Sequence, residues 1–234
     1  MRSILRALDS GDLRDALVIG AAITLVGAAF GALAASAGLP LVMIMAMSLL
    51  VLAGGSQFLV VGVIAAGGGV WPGVAGGLLL NARHLPFGLA LGDVVGRSWP
   101  ARLFGAHLLI DEVVAFARAR RDRPDGLASA HAAYWACGIA LITGWNLGTL
   151  AGALAGAAVP DPGTFGVDAA FPAALLALVL PALHRADARR VGLLGAIVAV
   201  ASTPWLPPGL PVLLGLFGLL AAGRARPGSA AATP

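Results

Sequence analysis

Between Ala16 and Ala37 the chain carries no charged residue, and the same holds from Leu41 to Ala66 and from Ala128 to Val159. A bilayer's hydrocarbon core takes roughly 20 apolar residues of helix to cross. Runs of this length therefore constrain the fold before any motif is considered. Soluble domains average about 25% charged residues, whereas here the figure is 11%, against 59% hydrophobic. Backbone amides find no partners in lipid, so only helices and closed barrels span it. The runs lack the alternation of barrel strands. The expected fold class is an all-α polytopic integral membrane protein.

Taken in order, the chain divides into a short amphipathic cytoplasmic lead-in over 1–15, a transmembrane domain over 16–223 and a low-complexity tail over 224–234. The tail reads as disordered and cytoplasmic. Spans are expected at Ala16–Ala37, Leu41–Ala66, Gly73–Gly92, Ala101–Ala117, Ala128–Val159, Asp168–Leu183, Val191–Ala201 and Leu210–Ala222. That makes about eight transmembrane helices. The last two are short for the hydrocarbon thickness, which leaves six or seven open. Glycines 144, 148, 152 and 156 recur every fourth residue and predict a close helix contact. An echo of residues 30–50 in 147–176 fits two structural repeats, although small-residue composition alone produces such echoes.

Arginines gather at the ends of runs, at 118–123, 185–190 and 224–226. Placed on the cytoplasmic side, they put both termini inside. The pI of about 10.9 thus reflects topology and lipid contact rather than nucleic acid. The single cysteine, Cys137, lies in an apolar run, which excludes a disulfide framework and a thiolate metal site. No metal, no cofactor and no cleavable leader are expected.

Polar residues inside these runs mark the functional centre. Arg83 and His84 follow Asn81 in the middle of the third span, and Asp111 and Glu112 interrupt the fourth. A charge at that depth costs from about 3 to more than 10 kcal/mol, so a guanidinium on one helix facing carboxylates on the next offsets both burials. In the second span, Ala53-Gly54-Gly55-Ser56-Gln57-Phe58 sets two glycines and two polar side chains at mid-depth. A discontinuous helix is expected there, tolerated where it faces protein or a wet cavity.

The order of these motifs resembles the AzlC family. Ala53–Phe58, then Asn81-Ala82-Arg83-His84-Leu85-Pro86-Phe87-Gly88, then Asp111-Glu112, then Trp145 with Gly148-Thr149, then Gly166-Val167-Asp168 carry the likeness across about residues 15–185. The family pattern has Leu at Ala82, an aromatic hydroxyl at Phe87, Ser at Ala90 and Thr at Ile110, so several hydroxyls are missing here. The resemblance implies a multi-pass permease of the bacterial cytoplasmic (inner) membrane that exports branched-chain or other small hydrophobic amino acids. It also implies a small hydrophobic partner subunit of the AzlD type.

On that reading the substrate-binding candidates are Ser56, Gln57, Phe58, Asn81, Arg83 and Phe87, and the proton-coupling candidates are His84, Asp111 and Glu112. Each has a plainer alternative. Arg83 is either a carboxylate ligand or half of a structural ion pair. Glu112, the chain's one glutamate, either takes up a proton or stays paired. His84 and His107 taken singly read first as helix contacts, and Asn146, Thr149 and Asp168 read as packing or capping residues. Two competing functions remain open, a passive channel and a membrane-embedded enzyme using His84 with Asp111 or Glu112. Against the enzyme, no nucleophile-elbow or metal-helix motif is present, and the chain is expected to be no enzyme.

Overall fold

A computed structural model describes residues 9–158, 183–206 and 210–221, with Leu176 and Leu180. Every regular element among the described residues is helical. The expected lead-in before Asp9, the sixth span at Asp168–Leu183 and the C-terminal tail lie outside or almost wholly outside them. Helix α1 covers Ser10–Ser36 and α8 covers Gly126–Ala157. By length and composition, these two are, among the described residues, the helices long and apolar enough to cross a membrane unaided.

Glycine dictates how α1 and α8 meet. A Cβ on Gly148 would collide with the carbonyl of Thr24, one on Gly152 with that of Ala28, and one on Gly31 with that of Thr149. Contacts advance along both helices in the same direction, from Gly20 beside Ala140 to Ala32 beside Gly156, so the helices run parallel. Apolar helices gain little from hydrophobic exclusion in lipid, and small residues that admit backbone-to-backbone approach supply dispersion instead. The four-residue glycine period is therefore the seam of the scaffold. Gly38, at φ +82, turns the chain after α1 into the α2 start at Pro40.

Between α1 and α8 lie three helix–break–helix segments. Helix α2 (Leu41–Leu50) is followed by α3 (Gly54–Ala65), α4 (Val70–Asn81) by α5 (His84–Val95), and α6 (Trp99–His107) by α7 (Asp111–Arg118). The breaks have different causes. After α2, Leu52 is forced to φ +43, a left-handed conformation that costs a non-glycine residue roughly 1–3 kcal/mol. The glycine pair Gly54-Gly55 is not the break itself but the first turn of α3, so the interruption falls at Val51–Ala53, earlier than expected.

At the second break Ala82 and Arg83 keep helical dihedrals, and the axis continues with a slackened ladder. Pro86 has no N–H to give the Ala82 carbonyl, and Leu85 donates to that carbonyl instead at 3.1 Å. The third break was not expected, since Ala101–Ala117 reads as one span. Ile110 is extended (φ −121, ψ 166) and donates to the Leu108 carbonyl at 3.0 Å.

At the C-terminal end α9 (Ala186–Ser202) packs antiparallel to α10 (Leu210–Leu214) and the 3₁₀ turn Gly215–Ala221 that continues it. Exposed tryptophans stand at helix ends, Trp71 at the start of α4, Trp99 at the start of α6 and Trp205 after α9. Large exposed side chains such as Leu25 and Leu89 lie inside helices. Exposed apolar side chains with tryptophans at helix ends are what a membrane protein presents to lipid.

Candidate functional site

The three breaks converge on one cavity of about 410 Å³, within the range of small-molecule sites. Helix α1 contributes Ile23 and Val26, the α2–α3 segment Leu52 to Gly55 with Phe58 and Leu59, and the α4–α5 turn Leu80, Arg83 and His84. The α6–α7 break adds Ile110, Asp111 and Glu112, and α8 adds Leu141 and Trp145. Most of the wall is apolar, so its few charges define its chemistry.

Arg83 Nη2 lies 2.8 Å from Asp111 Oδ2, and each side chain keeps about two-fifths of its surface open, 38% and 42%. Asp111 and Glu112 occupy the first turn of α7, where the helix dipole favours negative charge. Behind the pair stands an aromatic wall. Phe30 stacks on Trp145 with centroids 5.6 Å apart and meets Phe58 edge-on at 5.5 Å. Phe58 and Trp145 are themselves nearly perpendicular.

Not every sequence-predicted residue reaches the cavity. Ser56 donates to Asn81 Oδ1, locking α3 to the end of α4. Gln57 is buried and gives its amide to the Met47 carbonyl at 2.6 Å, holding the α2–α3 break together. Phe87 lies edge-on to His84 at 6.0 Å, outside the cavity wall. The geometry gives Ser56, Gln57 and Asn81 connecting contacts, while Phe58, Arg83, His84, Asp111 and Glu112 line the cavity. Asn146 accepts from Ser48 at 2.8 Å and so joins α8 to the end of α2.

The profile of one family, described as AzlC protein, matches residues 18–159, more than half of the 234 residues. The chain belongs to the AzlC family. No curated protein and no solved structure matches it. Membership makes this AzlC chain a membrane protein related to branched-chain amino-acid transport, in a family of transporters rather than enzymes. The matched region holds α1 from residue 18 onward, all three broken segments and α8, and hence the whole cavity wall.

Two features escaped the sequence reading. Leu141, Ile23 and Val26 line the cavity, yet an apolar residue in an apolar helix carries no mark of the face it presents, and Trp145, marked only by the family likeness, lines it with them. The second is a charge cluster at the far end of α7. Asp12 is 1% exposed and accepts from Arg120 Nε at 2.8 Å and from Arg123 at 2.6 and 2.9 Å. Arg120 also reaches Asp15 at 3.0 Å and lies 3.4 Å over the Phe116 ring. Hydrogen bonding to Asp12 holds the Arg123 guanidinium above its ordinary pKa. The signal was present as three acids at Asp9, Asp12 and Asp15 against arginines at 118–123, but each group reads as a solvated end when taken singly.

Proposed function

We propose that this AzlC protein exports branched-chain or other small hydrophobic amino acids across the bacterial cytoplasmic membrane, together with a small AzlD-like subunit. The observation that carries the reading is the Arg83–Asp111 pair facing a mostly apolar cavity where helix breaks meet. A free amino acid is a zwitterion with an apolar side chain, and it needs an anion, a cation and a dry wall close together. Arg83 takes the carboxylate, since its planar fork suits two oxygens. Asp111 or Glu112 takes the ammonium, and Phe58, Leu141, Ile23 and Val26 hold the side chain.

Transport requires that Arg83 and Asp111 exchange each other for the substrate and then re-form. The pair's partial exposure to the cavity supports that exchange. Glu112 and His84, beside the pair, are the groups we assign to proton movement. The partner subunit, the outward direction and the cytoplasmic termini rest on the family resemblance and the arginine distribution.

The test is efflux of radiolabelled valine, leucine and methionine from preloaded cells, with and without the partner subunit. Selective, uncoupler-sensitive efflux is expected, abolished by Arg83→Ala and by Glu112→Gln while the protein still inserts. Unchanged export in both variants would remove these residues from the mechanism. Absence of any amino-acid efflux with the partner present would sink the function.

A further inference from the structure

We infer that α2–α3 and α6–α7 are re-entrant hairpins that enter the membrane from opposite faces, and that α6–α7 is the gate between the cavity and the arginine-rich face. The start of α8 lies at that face, where Arg120 and Arg123 meet Asp12 near the start of α1. The end of α5 is there too, since Asp93 pairs with Arg121, and the Val94 and Val95 carbonyls meet His131 and Trp135 of α8. From this point α6 runs inward along α8. The Gly105 carbonyl accepts from Tyr134 Oη at 2.6 Å, and Leu108 stands against Gly138. Asp111 then lies in the cavity with Leu141 and Trp145. Helix α7 runs back, because Arg120, two residues past its end, reaches Asp12. Asp93 and Arg121 therefore close the mouth of a segment that goes in and comes out on one side. Its helices hold nine and eight residues, about 12–14 Å each, and neither is long enough to cross a core of roughly 30 Å.

The α2–α3 segment enters from the other side. It follows the far end of α1, and near its tip Ser48 bonds Asn146, beside Trp145 in the sequence of α8. Helix α3 is antiparallel to α4. A Cβ on Gly77 would stand 3.7 Å from that of Ser56, and one on Gly73 would stand 3.6 Å from the Val60 Cα. Helices α4 and α5 share an axis that ends at the arginine-rich face, so α4 starts at the far face and α3 ends there. Among α1 to α8 the crossings are then α1, α4–α5 and α8. Leu41–Ala66 and Ala101–Ala117, which read as spans, each fold back at mid-depth. The charge distribution agrees. Were Ala101–Ala117 a span, Arg97 and Arg102 would lie opposite the arginines at 118–123; as a hairpin it puts them all on one face, as the bias of basic residues toward one side requires.

How each tip is held decides which hairpin moves. Three polar bonds fix the α2–α3 tip: Gln57 to the Met47 carbonyl, Ser48 to Asn146, and Ser56 to Asn81. Among the described residues, the side chains of the α6–α7 tip make one polar tie to the rest of the protein, the partly open Asp111–Arg83 pair. Its contact with α8 is apolar, Leu108 on Gly138. The base of α7 is anchored by the Asp12 cluster. A half-crossing unit held firmly at its base and lightly at its tip swings without dragging a crossing helix, in the manner of a hinge. A substrate carboxylate that takes Arg83 from Asp111 also frees the tip. This coupling rests on the amino-acid reading; the placement of the hairpins does not.

The experiment labels introduced cysteines with a membrane-impermeant maleimide in right-side-out and inverted vesicles, in a Cys137→Ala background. Leu41→Cys and Ala66→Cys are expected to react from one face, and Arg97→Cys and Asp122→Cys from the other. Reaction of either pair from two different faces, or of both pairs from the same face, overturns the hairpins. For the gate, Leu108→Cys is combined with Gly138→Cys, whose Cβ atoms would stand 3.2 Å apart, close to the roughly 3.5–4.5 Å of a disulfide. Ile23→Cys, in the cavity wall on α1, is the reporter. With the tip free it is expected to react from the arginine-rich face. Oxidation of the Leu108–Gly138 cysteine pair should abolish that reaction and leave reaction from the far face. Reaction from the arginine-rich face that survives the lock, or that is absent without it, overturns the gate. Loss from both faces reports a collapsed cavity and also overturns it. Efflux from the same protein separates the two readings. Labelling as expected with no efflux of valine, leucine or methionine upholds the gate and sinks the amino-acid reading. Efflux that persists with the tip locked overturns the gate and leaves the amino-acid reading standing.

Discussion

Arg83 and Asp111 pose the sharpest question at the scale of single residues, because a close ion pair inside a membrane protein invites a structural explanation. Their exposure argues otherwise. With 38% and 42% of the two side chains accessible, packing does not enclose the pair, and exposed pairs contribute about 0–1 kcal/mol. Arg83→Gln should therefore lower the thermal midpoint of the detergent-solubilised protein by no more than a few degrees, while efflux of valine is lost. Arg83→Lys keeps the charge without the planar fork, and its efflux should fall between wild type and Gln. A midpoint for Arg83→Gln as low as that of a core variant would make the pair structural. Trp145 differs in kind, since its packing against Phe30 and Phe58 makes truncation to Ala a stability experiment.

At the scale of elements, the α1–α8 seam and the three breaks divide the labour of holding and opening. Gly152 faces the Ala28 carbonyl so closely that a Cβ has no room, and backbone cannot yield as a side-chain tip would. Gly152→Ala is expected to cost about 1–3 kcal/mol through overpacking, read as a lower thermal midpoint and less folded protein on size exclusion. Gly92, in α5, has nothing within 4 Å of its added Cβ. Gly92→Ala should be neutral or gain up to about 1 kcal/mol in helix propensity. Equal behaviour of the two variants would mean that the seam is not the tight contact described.

This contrast also explains what could be read from the sequence. The seam was legible because small residues at a four-residue period have few other uses in lipid. Arg83, Asp111 and Glu112 were legible because charges within apolar runs have few places to go. The break at Leu108–Ile110 was not, since it holds neither glycine nor proline and rests on an extended Ile110. Ser56 and Gln57 were read as substrate ligands because polar residues at a break attract that reading. The bonds of Ser56 to Asn81 and of Gln57 to the Met47 carbonyl depend on pairings that no local pattern encodes.

At the scale of the whole molecule, α1 and α8 are joined twice, by the glycine seam along their length and by charge at one end. Asp12, on the first turns of α1, is enclosed by Arg120 and Arg123 from the α7–α8 connection. Those arginines follow α7, whose opposite end carries Asp111 into the cavity. The eight-residue α7 is thus tethered at both ends by carboxylate–guanidinium pairs, one partly open to the cavity and one closed. The closed end is where stability should reside. Removing one partner of a buried pair leaves uncompensated charge, at about 3–5 kcal/mol, so Asp12→Asn should lower the thermal midpoint far more than Arg83→Gln does. The internal control is the Asp93–Arg121 pair, 50% and 40% exposed, where Asp93→Asn should leave the midpoint unchanged. If Asp12→Asn proves as silent as Asp93→Asn, then the cluster is a solvated end after all and the glycine seam alone fixes α1 to α8. If it destabilises as expected, any movement of α7 that serves transport must pivot on the Asp12 end, with the Asp111 end free to follow the substrate.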